Sequence, residues 1–246
     1  MSTVAPGVRR LGSPYVNWYL VEDGGRLTAV DAGLPAFAAH LKTDLAAFGC
    51  SVAAVEAVVL THSDGDHTGV ARALQRAGAR VLIHEQEEDA LRKPRPKIGE
   101  VNPLRVVPQL WRPALWRLGA HVLRGGGALP ARIEGAETFA DGDVLDVPGR
   151  PRVVHTPGHT RGHSAFLLES NGALFVGDAL CTWSPITARR GPQVMPSAFN
   201  VSTHGCFESL AAIESLDVRV LLPGHGDPWW GRAAAAVARA RAAGRS

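Results

Sequence analysis

Cysteine is scarce in this chain, and the way it is spread argues against two whole classes of protein. Cys50, Cys181 and Cys206 are odd in number, far apart and form no Cys-x-x-Cys pair. A disulfide framework and a thiolate zinc site are therefore not expected, and three reduced, mostly buried thiols are. Long apolar runs are missing as well. None reaches the roughly 18 residues that a membrane helix requires. Met1 to Gly12 lacks the apolar core of a signal peptide. A soluble, cytoplasmic protein with no membrane partner is the expectation.

A strong charge of one sign is also lacking, since the net charge is +3 over 246 residues. The small basic excess gathers at Arg92, Lys93, Arg95 and Lys97, and again at Arg232, Arg239, Arg241 and Arg245. No aromatic residues interleave the tail arginines. They read as solvated helix faces, and nucleic acid is not an expected partner. What is present in quantity is apolar residue, 46% of the chain. That suffices for one full core, so residues 1–246 are read as a single domain.

Along the chain, β signals come in two blocks. Val16 to Val21 and Leu27 to Val30 flank Gly24-Gly25 as a hairpin that ends at Asp31. A helix is expected from Pro35, with Phe37, Leu41, Leu45 and Phe48 on one face and Gly49 ending it. The apolar strand Ala57 to Leu60 runs into Thr61-His62-Ser63-Asp64-Gly65-Asp66-His67. A short helix, Val70 to Ala77, and a strand, Arg80 to His84, follow. Residues 86–135 are broken by prolines and by Gly125-Gly126-Gly127. Leu110, Trp111, Leu115, Leu118 and Val122 suit a helix face there, so this segment is read as a helical insertion. It is either a pocket wall or a surface addition. Strands resume at Val144 to Val147 and at Arg152 to His155. Ala165 to Leu168 and Ala173 to Val176 flank the hairpin signal Asn171-Gly172. A helix from about Phe207, a strand Val218 to Leu222 and an Ala-rich terminal helix complete an α/β pattern of two similar halves.

The chemistry gathers where strands end. His62, Asp64, Asp66 and His67 follow one strand, His159 a second, Asp178 ends a third and His225 follows a fourth. Loops after strands are where a rigid sheet presents ligands to one point. Imidazole with carboxylate and no thiolate suits catalytic zinc, iron or manganese. Asp31 ends the early hairpin and is a candidate to orient a ligand imidazole. Cys181 and Trp183 lie close enough in sequence to Asp178 to reach a pocket.

Thr61-His62-x-Asp64-x-Asp66-His67, Thr156-Pro157-Gly158-His159-Thr160-x-Gly162-His163, Gly177-Asp178 and Pro223-Gly224-His225-Gly226 together resemble the metallo-β-lactamase superfamily, including its glyoxalase II-like hydrolases. The resemblance runs from about Val16 to His225. It implies an αββα sandwich, two packed mixed β-sheets with helices on the outer faces. It also implies two divalent metal ions: His62, Asp64 and His159 on the first, Asp66, His67 and His225 on the second, and Asp178 between them. His163 matches a supporting position. The usual motif is His-x-His-x-Asp-His, whereas this chain has Asp64 at the second position, where flavo-diiron members carry Glu. Zinc is the expected metal, and the hard carboxylate leaves iron or manganese open.

The implied reaction is hydrolysis of an ester-like small molecule: a thioester, lactone, β-lactam or phosphoester. A metal-bound hydroxide would attack, since zinc lowers the pKa of water from ~15.7 to about 7, with Asp66 orienting the nucleophile. The alternative on the same fold is a non-haem iron dioxygenase or another iron-dependent redox enzyme. A monomer or homodimer is expected.

Overall fold

Alternation along the strands decides the layering. In β3 (Asn17–Asp23), Trp18 and Leu20 join one apolar cluster while Tyr19 and Val21 join another. The same split recurs in β9 (Ser164–Leu168), with Ala165 and Leu167 on one side and Phe166 and Leu168 on the other. Strands buried on both faces need a cover on both, and four layers result. The computed structural model describes residues 2–94, 103–128 and 130–245.

The first sheet has seven strands in sequence order: β1 (Ser2–Ala5), β2 (Val8–Gly12), β3, β4 (Arg26–Val30), β5 (Val55–Val59), β6 (Arg80–His84) and β7 (Glu137–Phe139). It is antiparallel up to β4 and parallel from β4 to β7. The parallel half needs crossovers, and they carry α1 (Leu41–Ala46), α2 (Ala71–Arg76) and α3 (Glu88–Arg92). Leu41, Leu45, Leu74 and Leu91 of these helices close the outer cluster over Leu20, Leu27 and Val58. The second sheet has the order β14 (Trp229–Trp230), β13 (Val220–Pro223), β10 (Ala173–Gly177), β9, β8 (Arg152–His155). Its outer face packs on α6 (Thr203–Glu214) and α7 (Ala233–Ala243) through Leu210, Ile213, Ala236 and Val237. A ribbon of β11 (Cys181–Trp183) and β12 (Arg190–Gln193) stands apart from both sheets.

Between the sheets, Tyr19 meets Phe175 at 5.4 Å and Phe139 meets Phe166 at 5.5 Å, both edge to face. Phe166 is fully buried at the centre of this layer. Phe166→Ala is expected to lower unfolding free energy by about 3–5 kcal/mol, as measured by urea denaturation.

The sandwich matches the αββα expectation, and local departures have local causes. Strands β1 and β2 form a hairpin that was not expected. The strand expected over Val144 to Val147 shrinks to one bridge, Val144 to Arg152, because the chain turns at once through Gly149 (φ 85°) and Arg150 (φ 46°). The helix expected from Pro35 divides into a 3₁₀ turn, Pro35–Ala39, and α1.

The segment expected as an insertion is rooted in the core at both ends, since Leu91 is buried and its carbonyl accepts from the Ile133 amide. Within it lie α4 (Pro103–Val106) and α5 (Pro113–Arg124). Leu110 and Trp111 precede α5 rather than lining it, because Pro113 opens the helix. Arg95 and Lys97 lie outside the described residues. No helix among the described residues is long and apolar enough to cross a membrane.

Candidate metal centre

All seven sequence-predicted ligand side chains lie in one cluster at the ends of the two sheets. Thr61 to Thr68 follow β5, Asp178 follows β10, His225 follows β13, and His159 lies in the loop between β8 and β9. Three sets of potential ligand atoms each fall within 4.8 Å of one another: His62, Asp64 and His159; Asp66, His67 and His225; His62, His67 and Asp178. The Asp64 Oδ2 stands 3.1 Å from Nε2 of both His62 and His159. Asp66 Oδ2 is 3.6 Å from His225 Nε2. Asp178 lies between the two sets: Oδ1 is 3.6 Å from His67 Nε2, and Oδ2 is 3.6 Å from His159 Nε2 and 3.2 Å from His225 Nε2.

The hydrogen bonds fix which nitrogen of each ring faces this cluster. His225 Nδ1 meets the Tyr15 carbonyl at 2.6 Å, so that nitrogen carries the proton. Asn200 gives its amide hydrogen to the Met195 carbonyl, leaving Oδ1 to accept from His159 Nδ1 at 3.2 Å. Thr61 donates its hydroxyl to Asp31, so Oγ1 accepts from His62 Nδ1 at 2.9 Å. Asp31 Oδ2 takes His67 Nδ1 at 2.9 Å, which bears out the positioning role expected of Asp31. Each ring thus turns its Nε2 inward, the arrangement that supporting hydrogen bonds impose on metal-binding histidines. Asp31 holds a left-handed backbone (φ 60°), a strained conformation for a non-glycine residue that its three hydrogen-bonding partners Thr61 N, Thr61 Oγ1 and His67 Nδ1 maintain.

Does this donor set fit metal ions? Two atoms bound to one ion at about 2.0–2.2 Å and at the tetrahedral angle stand about 3.3–3.6 Å apart. The spacings here run from 3.1 to 3.6 Å. His67 Nε2 and Asp178 Oδ1 are buried without a hydrogen-bond partner, a costly state for polar atoms unless an ion takes them. Burial drives His62 well below the usual histidine range. Burial also opposes a charge on His67, yet the carboxylates of Asp178, Asp31 and Asp66 outweigh it and raise that ring to about 10. Asp178 is likewise opposed by burial and held well below the usual carboxylate range by His225 and His67. Negative charge concentrated among buried rings is what a cation would neutralise, so the residues fit.

A family model described as the metallo-beta-lactamase superfamily matches residues 11–225. The chain belongs to that superfamily. YobT of Bacillus subtilis (strain 168) is 31% identical over 67% of this chain and 61% of its own length. The chain thus spans less than two thirds of that relative. The probable metallo-hydrolase YflN of the same organism is 26% identical over 93% of this chain and 87% of its own. Among solved structures, a metallo-beta-lactamase family protein from Thermus thermophilus is 28% identical with a TM-score of 0.67, covering 96% of this chain and 80% of that one.

Several supports of this candidate centre, Glu87 and Asn17 among them, had escaped the sequence. Glu87 is buried, accepting from Ser63 N and Oγ and from Gly162 N, and so ties two ligand loops together. Asn17 Nδ2 donates to the carbonyls of Pro223 and Gly226 on either side of His225. His163 Nε2 accepts the amide of Asp178 at 3.0 Å and is a structural histidine rather than a ligand. His155 stacks on His84 at 4.4 Å, away from the cluster. Trp183 lines a groove beside His225, whereas Cys181 is wholly buried. Trp116 lines a second groove, but Trp111, 73% exposed, lines neither.

Proposed function

We propose that the chain is a hydrolase of ester-like bonds that works with two divalent ions. The observation that carries this reading is the inward set of four Nε2 atoms around Asp178. His62, Asp64 and His159 would hold one ion, Asp66, His67 and His225 the other, with Asp178 facing both. Bound divalent metal supplies Lewis acidity toward the substrate oxygen and makes water acidic near neutral pH. The chain's own residues do the rest. Asp66 is the most exposed of the ligand carboxylates, its side chain 17% accessible against 3% for Asp178, and so can accept a hydrogen bond from the attacking water and aim it. Asp31, Thr61, Asn200 and the Tyr15 carbonyl hold the rings in place, so little reorganisation accompanies the reaction. Tyr15, His121 and Trp183 form an aromatic wall on one side of the site. Tyr15 stands 5.1 Å from His121 and 5.4 Å from Trp183.

A screen of thioester, lactone, β-lactam and phosphoester substrates tests this, with zinc, manganese and iron supplied separately to chelator-treated protein. Turnover of at least one class that returns with metal is the expected result. No turnover by fully loaded protein would end the reading. Iron redox chemistry is the second reading, favoured by the hard oxygen donor at Asp64. Iron in protein purified without added metal, with oxygen consumption, would select it.

Asp64 also yields a direct expectation. Asp64→His replaces a carboxylate by the imidazole of the usual motif, which prefers zinc. Zinc affinity at that position is expected to rise about tenfold, the lower end of what ligand surroundings change. Metal analysis after dialysis against zinc checks it. An unchanged or lower zinc content would mean that Asp64 is already the better ligand.

A further inference from the structure

Beside His225 runs a groove of about 460 Å³, walled by Tyr15, Trp183, Gly226, Arg10, Arg117 and Arg190, among others. That volume falls in the range of small-molecule sites. Its charge is unbalanced. Asp227 is the one carboxylate among its described wall residues, and it is shared between Arg10 at 3.1 Å and Arg190 at 3.2 Å. Arg117 has no ion pair or hydrogen bond among the described residues. It also lines the adjoining cavity of about 390 Å³, with Trp116, His121 and Arg124. On α5, Arg117, His121 and Arg124 follow at helical spacing, so one face of the helix looks onto both cavities. His121 Nε2 is buried there without a partner. The groove lies next to the candidate metal centre, since two of its wall residues adjoin His225: the Tyr15 carbonyl accepts from His225 Nδ1 and Gly226 follows it in the chain.

We propose that this groove binds the non-reacting end of the substrate, and that this end carries an anion, a carboxylate or a phosphate, held by Arg117. The inference rests on the hydrolase reading above and narrows it to anionic esters and thioesters. A free guanidinium beside two aromatic faces recognises an oxyanion at the end of a planar or acyl group. Asp227 already answers Arg10 and Arg190, which keep the groove positive without being consumed by the ligand. His121 lines the adjoining cavity beside Arg117.

Matched ligands that are not esters test the subsite apart from turnover. Hippurate and its neutral amide, hippuramide, share shape but not charge, and phenylphosphonate, whose C–P bond is not an ester, carries the phosphate-like anion. In calorimetric titration of the protein as purified, hippurate or phenylphosphonate is expected to bind at least about tenfold tighter than hippuramide, the worth of one charge-assisted hydrogen bond. Whichever anion binds tighter identifies the group. Arg117→Gln should erase the preference, and Arg72→Gln, on α2, should keep it. A preference that survives Arg117→Gln would mean that the anion sits on the metal, and equal binding of hippurate, phenylphosphonate and hippuramide would mean no subsite. Either overturns the proposal. In the hydrolytic arm, the kcat/KM ratio of succinyl to acetyl N-acetylcysteamine thioester should fall in Arg117→Gln. If neither thioester is cleaved while the Arg117-dependent binding stands, the thioesterase form of the hydrolase reading fails and the subsite does not.

Discussion

Asp178→Asn is expected to leave the fold intact and to lower both metal content and hydrolytic activity, the latter on the order of 10³-fold. The substitution keeps shape and removes one charge. Asp178 Oδ1 and Oδ2 lie 3.2–3.6 Å from the Nε2 atoms of His67, His159 and His225, so this one carboxylate faces both halves of the cluster. An amide brings a neutral oxygen and an N–H group into a space where Nε2 atoms converge. Two cations would then share the site with no anion between them. The backbone contribution survives, since the residue 178 amide donates to His163 Nε2 whichever side chain follows. Metal analysis should show fewer ions per chain, with circular dichroism unchanged. Full metal content in the variant would remove Asp178 from the proposed ligand set.

Gly224→Ala is expected to damage the same centre by steric means. A Cβ there would meet Asp178 Oδ1 at 2.4 Å and His67 Cε1 at 2.5 Å, distances that real Cβ atoms do not show. The backbone cannot back away. Its amide donates to Gly177 O at 2.9 Å and its carbonyl accepts from Asn17 at 2.8 Å. The displaced groups are therefore His67 and Asp178 themselves. Metal affinity should fall about 10–100-fold, and overpacking should cost about 1–3 kcal/mol of stability. Metal titration followed by chemical denaturation separates the two effects. Gly119→Ala is the control: it lies in α5 with nothing near its Cβ, and alanine in a helix is favoured by up to about 1 kcal/mol. Equal metal affinity in the two variants would mean that the close approach at Gly224 is not what shapes the site.

The seven clustered side chains were legible in the sequence because each sits in a short local context, a strand running into a Gly-flanked His or Asp. Asp31 and His163 apart, the residues that support them were not, for reasons that differ by residue. His225 is held by the carbonyl of Tyr15, and every residue has a carbonyl. Asn200 reaches His159 across a loop with no motif of its own. Glu87 sits in an acidic run, Glu85 to Asp89, that reads as a solvated face, yet it is 4% exposed because two loop amides and a serine hydroxyl need its oxygens. Asn17 did carry a signal, a polar residue inside an apolar strand. The element order suggested two similar halves and the family resemblance implied the sandwich, but the β1–β2 hairpin was hidden by Arg9 and Arg10. Their charges face away from the core, with Arg9 stacked on Phe48 and bonded to Glu22, and Arg10 bonded to Asn17 and Asp227. Leu110 and Trp111 were misplaced because apolar spacing alone does not reveal that Pro113 starts a new helix.

The ligand cluster draws on loops of both sheets, from His62 to His225. Neither half of the chain can assemble it alone, and a cation has little grip on a half-made molecule. Its binding energy is therefore absent from the climb to the native state, whose pace follows from the long-range strand pairing. That energy is present on the way out, where every ligand must be released before the sheets part. If the proposed ions bind, the loaded protein is expected to outlast the bare one, because its route to unfolding, aggregation and proteolysis is slowed.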